Sequence, residues 1–193
     1  MNIFYLSPSA LECAQWAIDK HVVKMILESA QMLSTAHRVL DGHEYIDDGG
    51  KKKVKRWRLS DNVLNTTLYS ATHVNHRCTK WARETINNYD WLWTYLYHHC
   101  KEYTHRYGKV HKIERDGLLE LLKRPPLNIP YGYFTEPPCA MDTKYLVGSD
   151  PVASYKQYYK YGKKYDSRGR PMHVWTKRET PEWIKGQHAE LFD

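Results

Sequence analysis

Ser9-Ala10-Leu11-Glu12 opens a stretch without Gly or Pro that runs through Asp19-Lys20-His21-Val22-Val23-Lys24-Met25-Ile26-Leu27-Glu28 to Asp41-Gly42. The Ser-x-x-Glu start is a capping box, and Asp41-Gly42 is a helix stop. At about 100° per residue, Trp16, Val23, Ile26, Leu27, Ala30 and Leu33 share a face, widened by Ile18, Met25, Met32 and Ala36. Lys20, His21, Lys24, Glu28, Gln31 and Thr35 form a narrow polar strip. A helix this apolar belongs at the centre of a fold. Working outward from it, the expectation is an all-α fold, a single compact helical domain around a central helix over 9–41, with long Pro-rich loops.

Glu12, Gln15, Asp19 and His37 fall on the apolar face of that wheel. An ionised carboxylate there must be paired, hydrogen-bonded or protonated. Asp19 is therefore either a functional carboxylate or the anchor of a structural ion network. Glu12 is accounted for by the capping box.

The chain has 193 residues, enough for one domain with a sizeable core. A formal charge of +7 points to an acidic partner, nucleic acid first. The 16 Tyr and 7 Trp fit the same partner, because bases stack on aromatic rings. Cys13, Cys78, Cys100 and Cys139 show no metal or redox spacing and read as thiols of a reducing compartment. No signal-like start and no apolar run of about 20 residues are present. The expectation is a soluble cytoplasmic protein without a membrane partner, in the host cytoplasm if the chain is viral.

Residues 3–6 read as a short strand or an extended lead-in. Asp47-Asp48-Gly49-Gly50 is a loop signal, and the run Lys51 to Arg56 before Trp57 is either a phosphate-contacting arm or a solvated loop. Residues 59–74 read as irregular. A second helix is expected over about 79–107, closed by Gly108. A short one follows near 115–123, ended by Pro125-Pro126. The prolines between 125 and 138 mark a long ordered loop of the kind that wraps a site. Asp150-Pro151 caps a helix to about 164. There Tyr155, Tyr159 and Lys160 are either a nucleic-acid surface or core tyrosines with their hydroxyls at the rim. Residues 166–193 read as an extended clamp docked by its tryptophans.

No nucleotide-binding, serine-hydrolase or zinc-protease motif occurs, and the reading assigns neither metal nor cofactor. Asn75-His76-Arg77 precedes a helix start, where backbone N–H groups favour an anion and Arg77 and Arg83 add charge. His76 is either an acid–base group at that phosphate or a helix cap.

Asp19 to Glu28, Asn75-His76, Trp81-Ala82-Arg83-Glu84 and Glu102 to Lys109 together resemble a group of small uncharacterised proteins of phages and other DNA viruses. More distantly, the order of motifs is similar to pyrimidine-dimer DNA glycosylases of the endonuclease V type. That resemblance implies a helical domain that binds damaged DNA, flips a base and cleaves the glycosidic bond with an α-amine nucleophile assisted by a helical Glu. The chain departs from the pattern at Asn2, which is too large for ready removal of Met1, and at His21, which stands where the Glu is expected. On this reading Asp19, His21 and His76 are the acid–base or orienting groups. Lys20, Lys24, Asn75, Arg77, Arg83, Tyr155, Tyr159 and Lys160 hold DNA. The alternative is a protein that binds a nucleotide or nucleotide-derived signal, or modifies a nucleotide or base, on the same scaffold.

Overall fold

A computed structural model describes residues 1–50 and 52–185. The chain is mostly helical with one small two-stranded sheet, so the all-α expectation is corrected to a helical fold bearing a hairpin.

The stretch expected as one helix over 9–41 is two. Helix α1 spans Ala10–Trp16 and α2 spans Asp19–Asp41. Between them Ala17 and Ile18 are extended, and five of the backbone groups at the break find distant partners. Arg106 donates to the carbonyls of Gln15 and Ala17, and the Trp175 indole to that of Trp16. Ile18 N–H donates to the Tyr159 hydroxyl, and Asp19 N–H to Val174 O. Backbone groups received in this way keep the cost of the break small.

The buried face of α2 also differs from the wheel. His21, Val22, Met25, Ile26, Ser29, Ala30 and Met32 are inside, whereas Val23 and Leu27 are exposed. Starting the wheel nine residues upstream, across the break, offset the face.

After α2, β1 (His43–Asp47) and β2 (Val54–Arg58) pair antiparallel, with His43 opposite Arg58 and Asp47 opposite Val54. Residues expected as a loop thus form a hairpin, closed through the acidic-glycine turn. Helix α3 (Asn62–Thr67) occupies part of the segment expected to be irregular, with Asp61 accepting from Leu64 N–H. Helix α4 (Arg77–Trp81) and α5 (Ile86–Tyr107) replace the single helix expected over 79–107. Thr85 restarts the chain by capping Asn88 N–H, and Ile86 N–H donates to Pro130 O. Gly108 ends α5 in the left-handed conformation, φ 66°, as its position predicts.

Helices α6 (Lys112–Arg115) and α7 (Leu118–Leu121) are split at Gly117, φ 83°. A 3₁₀ turn, Thr143–Tyr145, precedes α8 (Pro151–Gln157), where Asp150 caps Ala153 N–H as expected. The chain then widens into a π turn, Tyr158–Gly162, and ends its described part with α9 (Glu182–Lys185). Any side chain at Gly162 would meet the Tyr158 ring at 2.6 Å, so the close approach requires glycine.

Helices α2 and α5 pack antiparallel at the centre. His37, near the end of α2, bonds Tyr89 near the start of α5, while Asp19 at the start of α2 meets Arg106 near the end of α5. The lead-in Ile3-Phe4-Tyr5-Leu6 has no regular secondary structure, turns back at Leu6 N–H to Phe4 O, and is at most 3% exposed, laid into the core. Trp175 and Trp183 dock against Trp16 and Tyr159; of the stretch 166–193 expected as an extended clamp, 186–193 lie outside the described residues. No helix among the described residues is long and apolar enough to cross a membrane.

Candidate functional site

The buried lead-in fixes where the chain begins. Asn2 uses its whole side chain for this: Nδ2 donates to Ala140 O at 3.0 Å, and Oδ1 accepts from the Tyr155 hydroxyl at 2.8 Å and from Ile3 N–H at 2.8 Å. Its backbone N–H donates to Glu28 Oε2 at 3.0 Å. The α-amine of Met1 consequently lies 3.9 Å from the same Glu28 oxygen. On the next turn of α2, Lys24 Nζ stands 3.4 Å from Glu28 Oε1. One carboxylate, its side chain 14% exposed, is thus shared by an α-amine and a lysine.

Helix α4 brings the second half. His76 caps it, Nδ1 accepting from Cys78 N–H at 3.2 Å, which leaves Nε2 as the other ring position. Burial lowers the His76 pKa, and so do the positive Met1 amine, His73 and Arg77; Glu28 opposes them. The imidazole therefore shares an electrostatic neighbourhood with the amine and Glu28. Arg77 is exposed and donates to Cys139 O at 2.8 Å, tying α4 to the loop that receives Asn2. Cys78, beneath His76, is buried and its thiol is pushed up to about 12 by burial, so it stays an unreactive core group.

Of the residues singled out from sequence, the structure brings Lys24, His76 and Arg77 to this site, with Asn75 exposed beside His76. Asp19 and His21 are elsewhere. Asp19 accepts from Arg106, from Thr176 N–H and from the Thr176 hydroxyl, which is the structural-anchor reading. His21 is 3% exposed, stacked on Phe4 with ring centres 4.1 Å apart and bonded to the Tyr159 hydroxyl at 2.8 Å. Burial first, and then Lys163 and Lys24, hold it well below the usual histidine range, so it is a neutral core group.

Tyr155 and Tyr159 are 0% exposed, so the core alternative holds for both and neither ring is open to a base. Lys160 is partly buried with its amine over the Tyr161 ring. Arg83 turns back onto Thr79 O and Val74 O, and Lys20 pairs with Asp166 at 3.0 Å. Among the described residues no three His, Cys, Asp or Glu side chains converge as a metal site would need.

From sequence, Glu28 is only a member of the polar strip, and Asn2 counts against the α-amine that the resemblance implies. A signal was present: Lys24 and Glu28 are spaced i, i+4, and the apolar run 3–6 anchors the terminus. Compared with protein-family models, with curated proteins and with solved structures, the chain matches none.

Proposed function

We propose that this chain is a DNA-acting enzyme of the glycosylase and abasic-lyase kind, using its own α-amine as nucleophile. The observation that carries the reading is the Met1 amine held 3.9 Å from Glu28 by a side chain, Asn2, given over wholly to that purpose. Loss of Met1 would leave the arrangement intact, because the Asn2 nitrogen is already 3.0 Å from the same oxygen. The departure at His21 is answered by Glu28, one carboxylate on the same helix.

The neutral amine adds to C1′ of a deoxyribose, and the base leaves with the electron pair of the glycosidic bond and takes up a proton. Glu28 accepts the proton that the added amine sheds and returns it to the ring oxygen as the C1′–O bond opens. As that bond opens the nitrogen lone pair closes C1′=N, giving a protonated imine that keeps the second amine hydrogen, while the departed base draws its proton from water. Lys24 and Arg77 supply positive charge at the rim for the flanking phosphates, and the neutral His76 ring offers its Nε2–H as a donor.

Borohydride reduction in the presence of an abasic-site duplex and of a pyrimidine-dimer duplex tests this. The expected result is a covalent adduct mapped to the N-terminal residue and formed about 10²-fold more slowly by Glu28→Gln. Absence of any adduct, or one mapped to a lysine, overturns the reading.

A further inference from the structure

The hairpin builds a second basic site away from the amine. By its register, Tyr45 and Arg56 stand opposite each other on one face, with Arg58 and Asp47 beside them. That face, with Arg38, Asn65, Ser70 and Ala71, encloses a cleft of about 350 Å³. Arg38 forms its floor. It is 6% exposed, and its guanidinium donates only to neutral oxygens: the carbonyls of Tyr69, Trp57, Asn65 and Leu68 and the Asn65 side chain. Those bonds satisfy its protons but leave its charge uncompensated, so a positive field enters the cleft. Arg58 lies over the Tyr45 ring at 5.2 Å, and Arg56 meets Asp47 at 3.6 Å. Three guanidiniums thus face one carboxylate.

We propose that this cleft is a phosphate-binding site for the backbone of duplex DNA. The proposal rests on the reading of the amine site and extends it with a second anchoring point. Arg38 is ten positions beyond Glu28 on α2, about 15 Å along the axis and roughly a quarter turn around it. At about 3.4 Å per nucleotide along a strand, the cleft meets the backbone four to five nucleotides from the base at the amine.

The test is fluorescence anisotropy with an undamaged 20-base-pair duplex over a range of salt, comparing wild type, Arg56→Gln/Arg58→Gln and Lys55→Gln. Lys55 is on the opposite face of the hairpin, paired with Glu44 at 2.8 Å. The double variant should lower the slope of log K against log salt by about two, and Lys55→Gln should leave it nearly unchanged. Unchanged duplex binding by the double variant overturns the proposal, as does an equal loss from Lys55→Gln, which would mean diffuse charge. Saturable binding of a free nucleoside triphosphate, lost in the double variant while duplex binding persists, overturns it in favour of a nucleotide site. Arg58→Lys, which keeps the charge, guards against a misfolded hairpin and should retain most binding. Trapping by borohydride is scored separately. A lost salt slope with no adduct in wild type sinks the amine chemistry alone, and an adduct with an unaltered slope sinks the cleft alone.

Discussion

Arg106 Nη1 donates to Asp19 Oδ1 at 2.9 Å, joining positions 87 apart, and its Nε donates to Glu102 Oε1 at 2.7 Å. The guanidinium is fully buried and also holds the carbonyls of Gln15 and Ala17. Arg178 completes the network on Glu102 at 2.8 Å. These contacts hold open the break between α1 and α2 and fasten both to the end of α5.

Arg106→Ala should therefore be among the most damaging substitutions. It leaves Glu102 buried with one partner fewer and strands two backbone carbonyls, a cost of about 3–5 kcal/mol. For a chain of this size that lowers Tm by roughly 10 °C, measurable by thermal melting. A loss below about 1 kcal/mol would show that the network contributes little.

Acid should weaken the fold in two stages. His99 is fully buried, Nδ1 donating to Tyr95 O, and burial lowers its pKa to about 4. A histidine with a depressed folded pKa contributes stability that is complete above its unfolded value near 6.5 and lost as pH falls toward 4. That is about 3 kcal/mol from His99; His21 and His37, also lowered chiefly by burial, act in the same direction. Further down, burial raises the Glu102 carboxyl, but hydrogen bonds from Arg178 and Arg106 outweigh it and hold it below the ordinary range. Its contribution is present above about pH 4.3 and goes as pH drops through the folded value. Denaturant midpoints from pH 7.5 to 4.5 should decline in wild type and decline less in His99→Gln.

Tyr155→Phe separates the clamp on the terminus from the core it sits in. The ring stays buried, but Asn2 Oδ1, Pro138 O and Ala140 N lose their common partner. Stability should fall by about 1–3 kcal/mol. If the amine site is as proposed, adduct yield should fall further than the residual folded fraction explains, because the amine is no longer held against Glu28. Equal losses in the two measurements would make Tyr155 a stability residue only.

Glu28→Gln keeps the shape of the side chain and its bond from Asn2 N–H while removing the base. If the amine site is as proposed, the rate of imine trapping drops by about 10²-fold or more with little change in Tm. Placing two extra residues before Met1 should abolish trapping outright, since it moves the only α-amine away from the carboxylate. Continued trapping by the extended chain would assign the chemistry to a lysine.

Local sequence determined the pieces whose causes are local. The Asp150-Pro151 cap, the Gly108 stop, the buried lead-in over residues 3–6 and the helical nature of 19–41 and 86–107 all follow from capping chemistry and apolar periodicity. What tertiary structure decided is where those helices break, how the hairpin pairs and which polar groups meet. The break at Ala17–Ile18 is stable only because Arg106, Tyr159, Trp175 and Val174 receive its backbone groups from more than 80 positions away. The strands over 43–58 carry no clean alternation and are set by cross-strand pairing. Asp19 looks reactive in a linear reading because charge on an apolar face is costly, and His21 because it stands where the resemblance expects a Glu. Arg106 and Thr176 satisfy the first, and burial against Phe4 keeps the second neutral. The amine and Glu28 lie 26 and more positions apart in sequence, and only the lead-in laid along α2 brings them together.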